Sequence, residues 1–197
     1  MLTSIGLIWG LIVAAGMIWL SLYDSSPGPG AHPPARWPIR AALSRGTYTL
    51  VMAAHPRCPC TRASLDELAL VMAAGGGQLT AHVLFFAPAD AASDWWTSDL
   101  WAQAQAIPGV TAHVDRGGAL QGLFGALTSG TVVVYDRDDR LRFNGGVTAA
   151  RGHTGVNDGR LSLIALMETG QDALADTPVF GCPLRAPAAT TDGLQRR

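Results

Sequence analysis

The chain has no lysine: all fourteen of its cationic side chains are arginine, in 197 residues. A phosphate-binding P-loop lysine, a Schiff-base lysine and a Ser-Lys dyad are therefore excluded. Charge is scarce as well. Only 15% of residues are charged and the formal net charge is −1, with an isoelectric point near 6.5. That is the wrong electrostatic profile for a nucleic-acid partner, and none is expected. The triple glycine Gly75 to Gly77 lacks both a following Gly-Lys-Ser/Thr and a preceding strand, so it reads as a helix stop, not a phosphate loop. What the chain has in excess is apolar surface, 48% of residues and a mean hydropathy of +0.21.

Much of that excess is at the start. No charged side chain occurs from Met1 to Tyr23, and a helix over Leu2 to Tyr23 is about 33 Å long against a hydrocarbon layer of about 30 Å. Trp19 and Tyr23 suit the interfacial aromatic belt. A cleaved signal peptide is the competing reading; the missing arginine-bearing n-region and the absence of an A-x-A site between Leu20 and Ser26 favour a retained anchor over residues 1–23. Orientation is ambiguous by charge, because Arg36, Arg40 and Arg45 follow the helix but lie well beyond its end. Residues 24–46 read as a tether: Ser25 to Pro38 carries five prolines and two glycines and is expected to be semi-extended, with the folded part starting near residue 40. Residues 186–197 read as a frayed tail.

Between these, apolar periodicity predicts strands at Tyr48–Ala54, Leu79–Ala87 and Thr111–Asp115. It predicts helices at Thr61–Ala74, Ser93–Ala106 and Gly118–Leu127. Thr131–Tyr135 and Arg140–Asn144 flank a turn-rich insert and read as a hairpin, followed by a glycine-rich stretch and a helix from about Asn157 to Thr169. The order β-α-β-α-β-α-β-β-α implies an α/β domain with a mixed central sheet flanked by helices. Sites in such sheets lie at the carboxyl ends of the parallel strands, where His55-Pro56-Arg57-Cys58-Pro59-Cys60 falls.

A strand entering a cysteine turn that opens a helix, with a hairpin and a last helix downstream, resembles the thioredoxin-like superfamily, in particular membrane-anchored TlpA-like and redoxin-type bacterial proteins. Val114-Asp115-Arg116-Gly117-Gly118-Ala119, Phe124-Gly125 and the hairpin are similar to that group's VD..G....FG......TFLID.DG.I stretch. The cysteine turn together with Phe180-Gly181-Cys182-Pro183-Leu184 resembles RedB-like proteins. The resemblance covers residues 47–185 and implies a thioredoxin-like domain with thiol–disulfide oxidoreductase activity. It also implies that Arg57, Ser129, Gly130 and Thr131 position substrate. One departure stands out: Gly130 occupies the place of the family's cis-proline, which packs beside the active cysteines and hinders metal binding, so room is left for a metal.

The three cysteines carry the chemistry. Cys58 and Cys60 fall at a helix start, where free N–H groups and the positive dipole end favour a thiolate, and Arg57 and Arg62 are expected to add positive field. Cys58 is expected to be the more exposed and the nucleophile, with Cys60 or Cys182 resolving. Cys58 and Cys60 can form a strained bond across Pro59, or either can pair with Cys182. A soft-metal site is the alternative: Cys58, Cys60 and Cys182, completed by His55 or His153, suit Cu(I) or Zn. A thiol peroxidase using Cys58 is a third reading, without the P-x-x-x-T/S-x-x-C pattern. His82 and His113 read as structural, and Trp95, Trp96 and Trp101 as a cluster with one member in the core. The expected protein is thus a single-pass bacterial inner-membrane protein with its domain in the periplasm, needing no cofactor for redox work. Its partner is a thiol-containing protein or electron donor in the same compartment.

Overall fold

A computed structural model describes residues 2–171 and 176–184 of the chain. The helix α1, Leu2–Asp24, comes first; its apolar span is long enough to cross a membrane and none of it is buried in the domain. After it come β1 (Tyr48–Ala54), α2 (Pro59–Gly75), β2 (Leu79–Ala87), α3 (Asp99–Ala106), β3 (Val110–Arg116), α4 (Ala119–Leu123), β4 (Val132–Asp136), β5 (Leu141–Gly145) and α5 (Asp158–Thr169). The strands form one sheet in the order β3-β2-β1-β4-β5. β1 runs parallel to β2, and β2 to β3. β4 is antiparallel to both β1 and β5. β1 is therefore central, and its carboxyl end delivers the cysteine turn to the top of the sheet.

Alternation along the strands sorts side chains onto two cores. Leu50, Met52, Val83, Phe85, Val132 and Val134 face α2, α3 and α5, meeting Leu65, Leu68, Leu100 and Leu163. Val51, Leu84, Val133 and Tyr135 face the other way, onto Phe124, Leu120 and Leu123. Too little helix lies on that second face to cover it, because α4 has only five residues. The expected helix to Leu127 ends early: the Phe124 and Gly125 N–H groups close turns onto Gln121 and Gly122, and Gly125 turns left-handed at φ 64°.

The missing cover comes from the segment expected as a tether. Trp37 packs edge-on against Phe124 and Tyr135 at 5.2 and 5.4 Å, with the Arg45 guanidinium 4.0 Å above its ring. Backbone bonds tie the segment along its length: Gly28 N–H to Val179 O, His32 N–H to Gly125 O, Trp37 N–H to Asp139 O and Leu141 N–H to Ala35 O. Tyr135 donates its hydroxyl proton to Pro34 O at 2.8 Å. Prolines forbid a regular element but not an extended strap, so residues 28–43 complete the domain, and the folded part begins well before residue 40.

The expected helix over Ser93–Ala106 is also interrupted. Ser93–Trp95 forms a 3-10 turn, and Ser98 restarts the chain as an N-cap whose side chain accepts from Trp101 N–H. Trp101 reaches the core against Phe85. Arg116 stacks on Trp96 and Arg57 on Trp95. The expected tail, residues 186–197, lies outside the described residues.

Two strand histidines give the domain a pH dependence. The carbonyl of Ser44 accepts from His82 Nε2 at 2.8 Å, which leaves His82 Nδ1 to accept from His113 Nε2 at 2.9 Å. Burial holds His82 below its ordinary value of 6.5. Burial and then the His82 charge do the same to His113. Both are neutral when folded, while the unfolded chain takes up protons near 6.5. Stability is thus fully present above about pH 6.5 and declines as pH falls from there through the folded-state values, by up to about 1.4 kcal/mol per pH unit for each histidine. Urea midpoints should drop between pH 7.5 and 5.5, and His82→Gln should flatten the profile; an unchanged slope in that variant would assign the effect elsewhere.

Candidate active site

Three short segments converge above β1. The first is the cysteine turn. Cys58 is the N-cap of α2 in extended conformation (φ −100°, ψ 120°), with Pro59 at the first helical position, where its fixed φ suits the helix and its missing N–H costs nothing. Cys60 is the second residue of the helix. The second segment is Thr128–Thr131, leading into β4. Ser129 Oγ accepts from His55 N–H at 3.0 Å and bonds Thr61 Oγ1 at 2.8 Å. Gly130 N–H donates to Ala53 O. At φ 90°, a Cβ on Gly130 would stand 2.9 Å from Ser64 Oγ, so glycine is required for both conformation and space. Thr131 is buried and donates its hydroxyl to Thr128 O.

The third segment, residues 179–184, returns over the turn. Ser129 N–H donates to Cys182 O, and Leu184 N–H to Leu127 O, with Thr128 and Pro183 paired as an antiparallel bridge. A Cβ on Gly181 would collide with Ser129 O, so glycine there lets the segment seat closely. This places Cys182 Sγ 2.7 Å from Cys58 Sγ, and all three cysteine sulfurs lie within 4.8 Å of one another. All three are free thiols. Covalent bonding at about 2.05 Å requires only a small further approach of Cys58 and Cys182.

Cys58 is not the exposed member: it is 1% accessible and Cys60 7%, while Cys182 is half-buried. The segment carrying Cys182 is the cover, a contact 124 residues distant in sequence that strand and helix periodicity does not report.

The three thiols are electrically distinct. Burial is the largest single influence on Cys58 and opposes its thiolate. It is outweighed by hydrogen bonding from the Cys182 thiol and from the backbone of Cys182, Cys60 and Thr61, so Cys58 falls below the ordinary thiol value. The Cys58 side chain makes no capping hydrogen bond as a thiol; the first N–H groups of α2 are what a thiolate there would meet. Cys182 is pushed up to about 12, by burial first and then by its place beside Cys58. Burial and the Cys58 charge also raise Cys60, against the opposing pull of Arg151 and the Gly152 backbone.

Arg151 and Gly152 are the residues that sequence reasoning missed, although it singled out their loop for its histidine. Arg57 lies over Trp95 at 3.8 Å, and Arg62 pairs with Asp99. The cation acting on Cys60 and Cys182 is Arg151. Neither candidate histidine joins the cysteine group. His153 is exposed and its Nδ1 meets Arg151 O. His55 turns away to stack on Phe86, its Nδ1 accepts from Arg57 N–H, and burial followed by the Arg57 charge lowers its pKa. A separate groove of about 340 Å³ between α2 and α3, lined by Leu65, Ala69, Met72 and Ile107, includes no cysteine.

No protein-family model matches the chain, and no curated protein matches it. Solved structures do. A hypothetical protein from Sinorhizobium meliloti is 20% identical with a TM-score of 0.59, over 84% of this chain and 98% of that one. An uncharacterized conserved protein from Geobacillus kaustophilus is 16% identical with a TM-score of 0.58, over 84% and 94%. A secreted Mycobacterium tuberculosis disulfide oxidoreductase is more distant, at 14% identity and a TM-score of 0.43, over 63% and 82%. With a strand entering the cysteine turn, a helix leaving it, and a hairpin and last helix closing a mixed sheet, this chain has a thioredoxin-like fold.

Proposed function

We propose that the protein is a membrane-tethered thiol–disulfide oxidoreductase in which Cys58 is the nucleophile and Cys182 the resolving thiol. The carrying observation is the 2.7 Å approach of the two sulfurs at the amino end of α2. In the reducing direction the Cys58 thiolate attacks one sulfur of a partner disulfide. The partner S–S bond breaks, its other sulfur leaves as a thiolate, and a Cys58–partner disulfide forms. Cys182 then loses its proton to solvent and attacks the Cys58 sulfur. The second partner thiolate departs, and the chain is left with a Cys58–Cys182 bond, two electrons having passed to the partner. The oxidising direction is the reverse. Because residues 181–184 cover Cys58, an external disulfide gains access when that segment lifts from Ser129 and Leu127.

The partner is a thiol-containing protein or electron donor, and no cofactor is needed. The apolar α1 supports an anchor in the bacterial inner membrane, and the chemistry supports a periplasmic domain, since disulfides persist in oxidising compartments. Mass mapping of the air-oxidised full chain tests this reading: a Cys58–Cys182 bond with Cys60 free is expected, and a Cys58–Cys60 bond, or none, would count against it.

One observation favours a second reading. Three sulfurs within 4.8 Å suit Cu(I), which accepts three soft ligands, better than Zn(II), which seeks a fourth. The residues that would hold the ion are Cys58, Cys60 and Cys182, without His55 or His153. Cu(I) titration of the reduced chain against a chelator decides it: affinity no better than that of an unfolded Cys-x-Cys peptide removes the metal reading.

A further inference from the structure

The end of α1 is fastened to the cysteine site. Arg151 N–H donates to Asp24 O, its Nε to Tyr23 O at 3.2 Å, and its guanidinium lies over the Tyr23 ring at 4.9 Å. The same guanidinium donates from its other arm to Gly181 O, the residue before Cys182. One arginine thus joins the end of α1 to the segment that carries the resolving thiol, its backbone N–H holding Asp24 O and its head holding Tyr23 O and Gly181 O. The donors of a guanidinium are set in a rigid fork about 2.3 Å apart, so Tyr23 O and Gly181 O lie within about 8 Å of each other.

The chain leaves no slack to undo this. Gly28 N–H is already bonded to Val179 O and Thr128 Oγ1 to Pro29 O. Three residues, 25–27, separate α1 from the docked strap, and fully extended they reach only about 10 Å. The arginine loop is itself held from below: Glu67 accepts from Gly155 N–H and from the side chain of Asn157.

Taken with the oxidoreductase reading, on which it rests, we propose that the Arg151 latch and the short strap hold the cysteine cluster against the bilayer surface. There it exchanges disulfides with a membrane-inserted partner whose cysteines lie at headgroup level. A bilayer adds roughly 5–7 Å of polar layer on each side of its hydrocarbon, and Tyr23 belongs at that boundary. Gly181 O lies within about 8 Å of Tyr23 O and directly precedes Cys182, which keeps the cluster within about two headgroup thicknesses of that boundary. A juxtamembrane cysteine pair meets the site at its own height.

A lipid-borne disulfide tests this. The reduced full chain is reconstituted in phosphatidylcholine vesicles containing phosphatidylethanolamine whose headgroup bears a pyridyl disulfide. The Cys58 thiolate attacks the sulfur on the lipid side, the S–S bond breaks, pyridine-2-thione leaves, and a Cys58–lipid disulfide forms. Soluble dipyridyl disulfide has the same leaving group and needs the same lifting of residues 181–184, so the ratio of the two rates isolates position. Inserting a roughly twelve-residue Gly/Ser linker between Leu22 and Tyr23, ahead of the carbonyls that Arg151 holds, keeps the latch contacts with the domain but frees it from α1, and lets it wander about 20 Å. It should lower the lipid-to-soluble ratio about fivefold or more while leaving the soluble rate unchanged. An unchanged ratio, a wild-type chain that reacts with the soluble reagent but not the lipid one, or a chain that fails to float with the vesicles overturns the proposal. If neither reagent reacts, the oxidoreductase reading itself fails.

Discussion

Replacing Cys182 with serine is expected to arrest disulfide exchange halfway, leaving the substrate covalently bound to Cys58. In the wild-type chain the resolving sulfur is held 2.7 Å from the sulfur it must attack. Holding reactants in place in this way accelerates a bimolecular step by several orders of magnitude, so the adduct should persist about a hundredfold longer or more in Cys182→Ser, as followed by mass after a rapid quench. Cys60 is a poor substitute. It is raised by burial and by the Cys58 charge, and its bond to Cys58 would have to close across Pro59. Cys58→Ser should abolish the reaction outright. Its thiolate should also set the pH profile of the first step: reaction with a small disulfide should half-saturate below the ordinary thiol value of 9.0, since the thiolate persists at lower pH when its pKa is depressed. If Cys60→Ser traps the adduct and Cys182→Ser turns over normally, the two resolving roles are exchanged and the assignment made from geometry is wrong.

The sheet was readable from the sequence because its strands are short runs that carry their own signal. Tyr48–Ala54 and Leu79–Ala87 have the observed bounds, and Asn157 caps α5 where the glycine-rich stretch ends. The errors have one cause in common: contacts between residues far apart in the chain. Proline content says that residues 25–38 form no regular element, and that is true; it does not say that Trp37 meets Phe124 and Tyr135 across nearly ninety residues or more. The local charge near the cysteines pointed to Arg57 and Arg62. Once folded, those side chains belong to Trp95 and Asp99, and the cation at the thiols comes from Arg151. Likewise Cys58 looked exposed because a turn next to a strand end usually is, whereas burial here depends on a segment 124 residues later.

Arg160→Met is expected to be strongly destabilising, although the residue lies outside the sheet. Glu67 is a carboxylate on α2 that is 1% exposed; its Oε2 lies 2.6 Å from the Arg160 guanidinium, and its other hydrogen bonds come from Gly155 N–H and Asn157 Nδ2. Removing the cation leaves a buried charge with two neutral donors. Breaking a buried ion pair from one side costs about 3–5 kcal/mol, which for a domain of this size lowers the melting midpoint by roughly ten degrees. Glu67→Gln should cost less, because an amide still accepts from Gly155 and from Arg160, and the Arg160 side chain, 14% exposed against 1% for Glu67, is nearer to water. The double variant Glu67→Leu with Arg160→Met should recover part of the loss, since removing both charges removes the uncompensated one. The site feels the same change. Gly155 and Asn157 fix the loop on which Arg151 and Gly152 reach the cysteines, so in Arg160→Met the Cys60 thiol should lose part of the opposing pull and titrate higher. Denaturant midpoints give the first effect, and the pH dependence of thiol alkylation in a Cys58→Ser background gives the second. Full stability in Arg160→Met would mean that the Glu67 contacts are ornamental to the fold, and the loop would then need another support.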